Sequence, residues 1–421
     1  MTNQVNQFLI GVDIGGTFTD IVAVDQKNGK QFNGKVLTTP QNPSEAVLSG
    51  VNQIILNNKI DPKKCRIIHG TTLVANALIE RKGVKTALLT TKGFKDVLEI
   101  GREWRYDLFS LDLEMPKPIV SRNLRFEVEE RLNFEGKVIK KLDEIELIKI
   151  AKQIKKSGVE TLAIVFLHSF KNSMHEKFAK KIIQKHVPAL NICLSSTVSP
   201  EIGEYERTST CVANAYVQPI FKNYVNSLVI GLKKMGIVND LFLMLSDGGI
   251  VHEKIAVEFP IRLVQSGPAG GAQAATLYGK LQKINDVLCF DMGGTTAKAC
   301  LIENGKPNRT TVFEVARVFR FSKGSGLPLQ VPVVDMIEIG AGGGSIARID
   351  EMGLIQVGPE SSSSYPGPAC YDLGGKLPTV TDSDLILGYI DPDNFLGGDM
   401  KLSKENAESA IKEHIAVPMG I

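Results

Sequence analysis

The chain has 421 residues, 43% of them hydrophobic, and 49 basic against 46 acidic side chains give a formal net charge of +3. That size predicts two to three domains with cores of their own. A charge balance this close to neutral gives no reason to expect nucleic acid or an anionic membrane as a partner, and with no run of about 18 apolar residues the expectation is a cytoplasmic chain.

In chain order, the apolar run Phe8 to Val12 reads as a buried strand closed by Asp13. Gly15 and Gly16 then allow a sharp turn, Thr17 follows, and Ile21 to Val24 reads as the returning strand of a hairpin. Arg66 to His69 and Thr86 to Thr90 read as further buried strands. His69 precedes Gly70-Thr71-Thr72 at a helix start, where either threonine can cap; it is either a cleft residue or a hydrogen-bonded structural histidine. Residues 101–122 carry Trp104, Pro116 and Pro118 and read as an irregular excursion. Ile145 to Lys156, Leu162 to Leu167 and His175 to Gln184 read as helix, strand and helix, with Ile145, Ile148, Ala151 and Ile154 at helical spacing. Lysines such as Lys152, Lys155 and Lys156 belong to a solvated face. This alternation predicts an α/β layered domain.

A boundary is expected near Ser199-Pro200, dividing residues 1–198 from 199–421. Beyond it, Glu201 to about Met235 reads as mostly helix, Leu241 to Leu245 and Ile261 to Val264 as strands, and Ser266-Gly267-Pro268-Ala269-Gly270-Gly271 as a glycine-rich turn that introduces a helix to about Leu281. Its N-terminus either faces a bound anion or is an ordinary helix start with proline in the first turn. Gly340, Gly342, Gly343 and Gly344 either let backbone approach a ligand or another lobe, or mark a tight crossing of packed elements. The six cysteines lack CxxC spacing, which argues against a zinc knuckle or a disulfide framework, and Cys370 reads as structural rather than nucleophilic. The scattered histidines suggest no transition-metal site.

The most telling feature is a repetition. CFDMGGTTAK, Cys289 to Lys298, repeats the pattern of GVDIGGTFTD, Gly11 to Asp20, with Asp291 on Asp13, Gly293 on Gly15, Gly294 on Gly16 and Thr295 on Thr17. Two strands meeting at Asp-x-Gly-Gly-Thr can aim N–H groups and hydroxyls at phosphate, and the carboxylate can hold Mg²⁺ through its waters. Two copies in one chain predict a nucleotide clamp. Neither a G-x-x-x-x-G-K-[ST] loop nor a G-x-G-x-x-G helix opening competes.

The two DxGGT segments are similar to the phosphate motifs of the superfamily of actin, the heat-shock chaperone ATPases and the sugar kinases. The surrounding strings, among them HGTTLVANALIERKG (His69 to Gly83), LSDGG (Leu245 to Gly249), VQSGPAGG (Val264 to Gly271), VGPESSSSYPGPACY (Val357 to Tyr371) and PTVTDSDLILGYI (Pro378 to Ile390), resemble the A subunit of the hydantoinase/oxoprolinase family over nearly the whole chain. The resemblance implies an α/β, two-lobed actin/chaperone/sugar-kinase-like fold, with a family chain that continues past Ile421 into a glycine-rich segment expected to help hold adenosine. These 421 residues would then be a fragment or one piece of a split subunit, and weak binders of ATP alone. It also implies ATP-dependent activation and hydrolysis of a cyclic amide or imide (5-oxoproline, a hydantoin or a lactam), completed by a B subunit. Related members use ATP in ketone carboxylation. An alternative from another class is a nucleotide-gated binding module without chemistry.

On this reading Asp13 and Asp291 are water-mediated Mg²⁺ ligands. Gly15, Gly16, Thr17, Thr19, Gly293, Gly294, Thr295 and Thr296 surround the ATP phosphates, with Lys298 as an extra charge. Asp20 either orients the attacking group or makes a strand-edge salt bridge, and His69 is placed in the catalytic cleft. Many relatives have Ser-Thr-Asp where this chain has Thr296-Ala297-Lys298, so the second copy lacks an acid that others place there.

Overall fold

A computed structural model of the chain describes residues 7–15, 18–39, 42–294, 296–319, 322–398 and 400–421. It divides into two compact units: Met1–Gly34, Thr38–Gly270 and Arg309–Val334 form the first, and Lys35–Leu37, Gly271–Asn308 and Asp335–Ile421 the second. The boundary expected near Ser199-Pro200 falls inside the first unit.

The first unit is built on β1 (Phe8–Ile14), β2 (Phe18–Asp25), β3 (Gln31–Leu37), α1 (Pro43–Asn57), β4 (Cys65–Thr71) and α2 (Leu73–Ile79). Next come β5 (Thr86–Thr91), β6 (Arg125–Val128), α3 (Glu144–Ser157), β7 (Thr161–Val165), α4 (Met174–His186) and β8 (Asn191–Leu194). The long helix α5 (Glu204–Lys234) leads into β9 (Leu241–Met244) and β10 (Ile250–His252). One mixed sheet runs β10-β9-β4-β1-β2-β3, and a parallel sheet runs β8-β7-β5-β6.

Local chemistry explains these elements. Along β1 the side chains of Phe8, Ile10, Val12 and Ile14 turn inward, so period-two alternation leaves Asp13 on the outer face. In β2 the same rule buries Thr19, Ile21 and Ala23 and exposes Asp20. Helix α3 starts where the Asp143 side chain accepts from the Ile145 N–H and stops at Gly158 in the left-handed conformation, φ 66°. Its buried stripe is Leu147, Ile150, Ala151 and Ile154, whereas Ile145, expected on that stripe, faces solvent. The i, i+3, i+4, i+7 set matches one helix face, and the strict i+3 series drifts off it.

One expected strand is not found. Ile261 to Val264 lies mostly in a 3₁₀ turn, Pro260–Leu263, whose first residue is proline. A four-residue apolar run has no periodicity to separate the two states, and the proline ring presets the helical φ. The expected excursion is present: no regular element lies between Ile100 and Arg122, and Phe109 and Leu111 are 93% and 97% exposed.

Helix α6 (Ser266–Leu281) precedes β11 (Val287–Met292) and β12 (Ala297–Glu303), which pair as an antiparallel hairpin. The strands β13 (Arg309–Val315) and β14 (Leu327–Val334) belong to the first unit, and β15 (Ile337–Ile339) pairs with β12 in the second. The second unit ends with the hairpin β16 (Ser345–Ile349) and β17 (Ile355–Ser361), then α7 (Val380–Ile386) and α8 (Lys404–Ile411). On the β11-β12-β15 sheet, Leu288 pairs across from Leu301, while Phe290, Ala299 and Ile337 form one row. Leu288, Phe290 and Ile337 on this face are each more than half exposed. Among the described residues, no helix is long and apolar enough to cross a membrane.

Candidate functional site

The repeated segments fold alike. In the first hairpin the Gly15 N–H donates to the Phe18 carbonyl at 2.9 Å; in the second the Gly293 N–H donates to the equivalent Thr296 carbonyl at 3.0 Å. These two N–H groups therefore close turns, so Gly15 and Gly293 shape the hairpin tips. Gly16, Thr17 and Thr295 lie outside the described residues.

The tips differ in charge. Asp13 and Asp20 are cross-strand register partners, both exposed. Like charges directly opposite on a sheet repel. Two carboxylates on a solvent-facing tip fit the donor chemistry of a hard divalent cation such as Mg²⁺. In the second hairpin the register partner of Asp291 is Lys298, and the next strand places Glu338 opposite Lys298, with Nζ 3.3 Å from Oε1. This row of minus, plus, minus keeps one net negative charge, against two on the first tip. Lys298 thus makes an ion pair with Glu338 on its own sheet.

Thr19, expected near the phosphates, is fully buried, and its hydroxyl lies 3.0 Å from that of Thr38. Thr38 in turn donates to the Gly15 carbonyl at 3.0 Å, so this pair supports the turn from beneath. Strand alternation puts residue 19 on the core side and Asp20 on the solvent side.

The strand β4 lies parallel to β1, and its HGTT string grips β1 on either side of Asp13. His69 Nδ1 faces the Val12 carbonyl at 3.2 Å and Thr72 Oγ1 donates to the Ile14 carbonyl at 3.2 Å. The imidazole is fully buried, and its Nε2 meets the Tyr224 hydroxyl at 2.6 Å. Burial raises the Tyr224 pKa, so the phenol stays protonated and donates to Nε2, leaving Nδ1–H for Val12. With both nitrogens used and no exposed surface, the geometry matches a structural histidine and not one in an open cleft. Burial also lowers the His69 pKa to about 4, opposed by the bond to Val12. Because the unfolded chain protonates His69 near pH 6.5 and the folded chain resists until about 4, stability is full above pH 6.5 and falls as pH drops toward 4. His69→Gln is expected to flatten that part of the stability-pH curve, by about 3 kcal/mol at most, in urea titrations between pH 4 and 7.

The first turn of α6 also belongs to this site. The Thr71 N–H donates to Ser266 Oγ at 3.2 Å, and a Cβ on Gly267 would sit 3.2 Å from Asp13 Oδ1. The start of α6 therefore lies beside the Asp13 carboxylate, a placement that the helix dipole favours.

The glycine-rich segment forms a tight crossing, the second of the alternatives weighed for it. The Gly343 and Gly344 N–H groups donate to the carbonyls of Gly293 and Gly294 at 2.9 and 2.7 Å. A Cβ on Gly344 would lie 2.9 Å from the Gly294 carbonyl oxygen, so only glycine lets this backbone reach the hairpin tip. Nearby, the buried Asp382 carboxylate accepts from the Cys370 and Thr379 N–H groups, both at 2.8 Å, which ties the PGPAC turn to α7. Burial and Asp382 together push the Cys370 thiol well up, matching its structural reading.

One cluster was not apparent from the sequence: Asp240, His252 and Glu253 come together. Asp240 approaches His252 Nε2 at 3.4 Å and Glu253 approaches Nδ1 at 2.9 Å, while the Lys254 N–H also donates to Nδ1 at 3.2 Å. The carboxylates sit at opposite ring nitrogens, and His252 caps the helix start by accepting from the Lys254 N–H.

The mixed α/β fold carries two hairpins with equivalent turn bonds, one in each unit. The chain belongs to the hydantoinase/oxoprolinase family: residues 9–187 match the hydantoinase/oxoprolinase N-terminal region and residues 207–421 match hydantoinase/oxoprolinase. It is 44% identical to an uncharacterized protein of Methanocaldococcus jannaschii over 97% of this chain and 61% of that one. It is 35% identical to the caprolactamase subunit alpha of Pseudomonas jessenii over 99% of this chain and 59% of that one. The crystal structure of the ATP-dependent caprolactamase from the same organism superposes with a TM-score of 0.81 at 33% identity, covering 98% of this chain and 59% of that one. The nucleotide-free structure of acetone carboxylase gives 0.79 at 29% identity, with the same coverage of both chains. The chain spans about three-fifths of the length of these relatives.

Proposed function

We propose that this chain is the ATP-using part of an enzyme that activates a cyclic amide or imide for ring opening, with a partner subunit completing the hydrolysis. The observation that carries this reading is the pair of hairpins with equivalent turn bonds, set in a chain that is similar to the caprolactamase alpha subunit over 99% of its length. An amide is a poor electrophile. Phosphorylating its carbonyl oxygen eases attack by water and couples the reaction to ATP cleavage. In phosphoryl transfer a protein supplies mainly positioning and charge neutralisation.

The geometry supports the following residue roles. Asp13, with Asp20 opposite, offers the negative tip that would hold Mg²⁺ through its waters. Asp291 marks the equivalent place on the second hairpin, where Lys298 and Glu338 fix its electrostatic setting. Mg²⁺, when bound, would neutralise phosphate charge. His69 and Thr72 hold the backbone flanking Asp13, and Thr19 with Thr38 hold the turn. Among the described residues, no Ser-His-Asp set is apparent to finish a hydrolysis, which motivates the partner.

A second reading, ATP-dependent ketone carboxylation, is favoured by a 34% identity to the acetophenone carboxylase gamma subunit of Aromatoleum aromaticum, close to the caprolactamase value. The test is to mix the full-length protein with its partner subunit and follow ATP hydrolysis and products. Ring-opened product from caprolactam, 5-oxoproline or a hydantoin, formed only by the mixture, is the expected result. A response to ketone plus bicarbonate alone would select the second reading. Nucleotide binding with no turnover on any substrate would leave a binding module.

A further inference from the structure

Two glycines on separate elements converge on one oxygen atom. A Cβ on Gly70, at the end of β4, would lie 3.1 Å from Asp13 Oδ1, and a Cβ on Gly267, in the first turn of α6, would lie 3.2 Å from the same atom. Both distances are inside ordinary van der Waals contact of about 3.5 Å. The backbone does not ask for glycine at either place, because neither residue has a positive φ. Local preference argues against both: glycine weakens a strand, and within a helix it costs roughly 1 kcal/mol relative to alanine. What the two positions share is the Asp13 carboxylate.

We propose that Gly70 and Gly267 are positioning residues, conserving by their missing side chains the one pose in which Asp13 presents its carboxylate at the hairpin tip. The surroundings are otherwise fixed. Asp13 sits between Val12 and Ile14, whose carbonyls are held by His69 and Thr72, and Ser266 receives the Thr71 N–H beside Gly70. With the backbone flanking Asp13 clamped, a methyl group at 70 or 267 requires the Asp13 carboxylate to give way by a few tenths of an ångström. The inference rests on the reading of Asp13 as a Mg²⁺-holding residue for its functional consequence, but not for the positioning itself.

The experiment uses the full-length protein, with Gly70→Ala and Gly267→Ala made in the wild-type and in an Asp13→Ala background, and Gly271→Ala as a control because a Cβ there meets nothing within 4 Å. Thermal midpoints and the affinity for ATP with and without Mg²⁺ are measured. In the wild-type background each glycine variant is expected to weaken Mg²⁺-dependent ATP binding by roughly tenfold or more, as loss of groups that orient a metal ligand does. Mg²⁺-free ATP binding should not move, and neither should the control. In the Asp13→Ala background, where the carboxylate is gone, the added methyl should have no further effect on binding and should no longer lower the thermal midpoint. Equal shifts of the midpoint in both backgrounds would overturn the positioning role. If Asp13→Ala leaves the Mg²⁺ dependence intact, the metal reading of Asp13 fails, and the midpoint coupling still decides the role of the glycines.

Discussion

Asp13→Asn in the full-length protein is expected to reduce Mg²⁺-dependent ATP turnover by about 100-fold or more, the scale seen when one preorganised charge-stabilising group is removed from a phosphoryl- or acyl-transfer site. Folding should be untouched. Asp13 is exposed, and losing its charge removes both the repulsion from Asp20 across the hairpin and the attraction of the α6 start, which offset one another. The thermal midpoint should therefore stay within about 2 °C of wild type. Asp291→Asn should also lower turnover, and here the hairpin loses an attraction, since Asp291 faces Lys298. Wild-type turnover in Asp13→Asn, measured at saturating Mg²⁺ and ATP, would remove this residue from the site.

The largest expected effect on stability lies elsewhere. Asp382→Ala should destabilise the second unit by about 3–5 kcal/mol, read as a shift in the urea midpoint at constant slope. The carboxylate is fully buried and accepts four bonds: from the Ala369, Cys370 and Thr379 N–H groups at 3.3, 2.8 and 2.8 Å, and from the Thr379 hydroxyl at 2.7 Å. Deleting it strands three backbone donors in the interior and removes the capping box that begins α7. Asp382→Asn keeps one acceptor oxygen and should retain part of the stability. An alanine variant as stable as wild type would mean that other groups, or water, take up those donors.

These two aspartates mark what a linear reading can reach. The Asp13 and Asp291 hairpins are legible because their information is local: a period-two apolar run, an Asp, two glycines and a second run specify a strand, a turn and a returning strand within about ten residues. The same locality makes the ends of α3 legible in Asp143 and Gly158. Resemblance to the hydantoinase/oxoprolinase family, carried by strings of the same kind, also supplied the fold.

Which face a side chain takes, and what it meets there, depended on contacts distant in sequence. Thr19 belongs to the repeated motif, yet alternation and Thr38 turn it into the core. His69 is met by Tyr224 from α5, 155 residues away, and only that contact, with its bond to Val12, completes its hydrogen bonding. Lys298 is neutralised by a carboxylate on another strand, and Gly70 and Gly267 acquire a reason only when β4 and α6 are brought to the same oxygen of Asp13. The sequence by itself determined the strands, the turns and the residue types available for phosphate and cation chemistry, because backbone geometry and hydrophobic periodicity act over a few residues. Tertiary structure alone decided which of those residues face solvent, because burial, charge compensation and close approach arise between segments that the chain separates by tens to hundreds of positions.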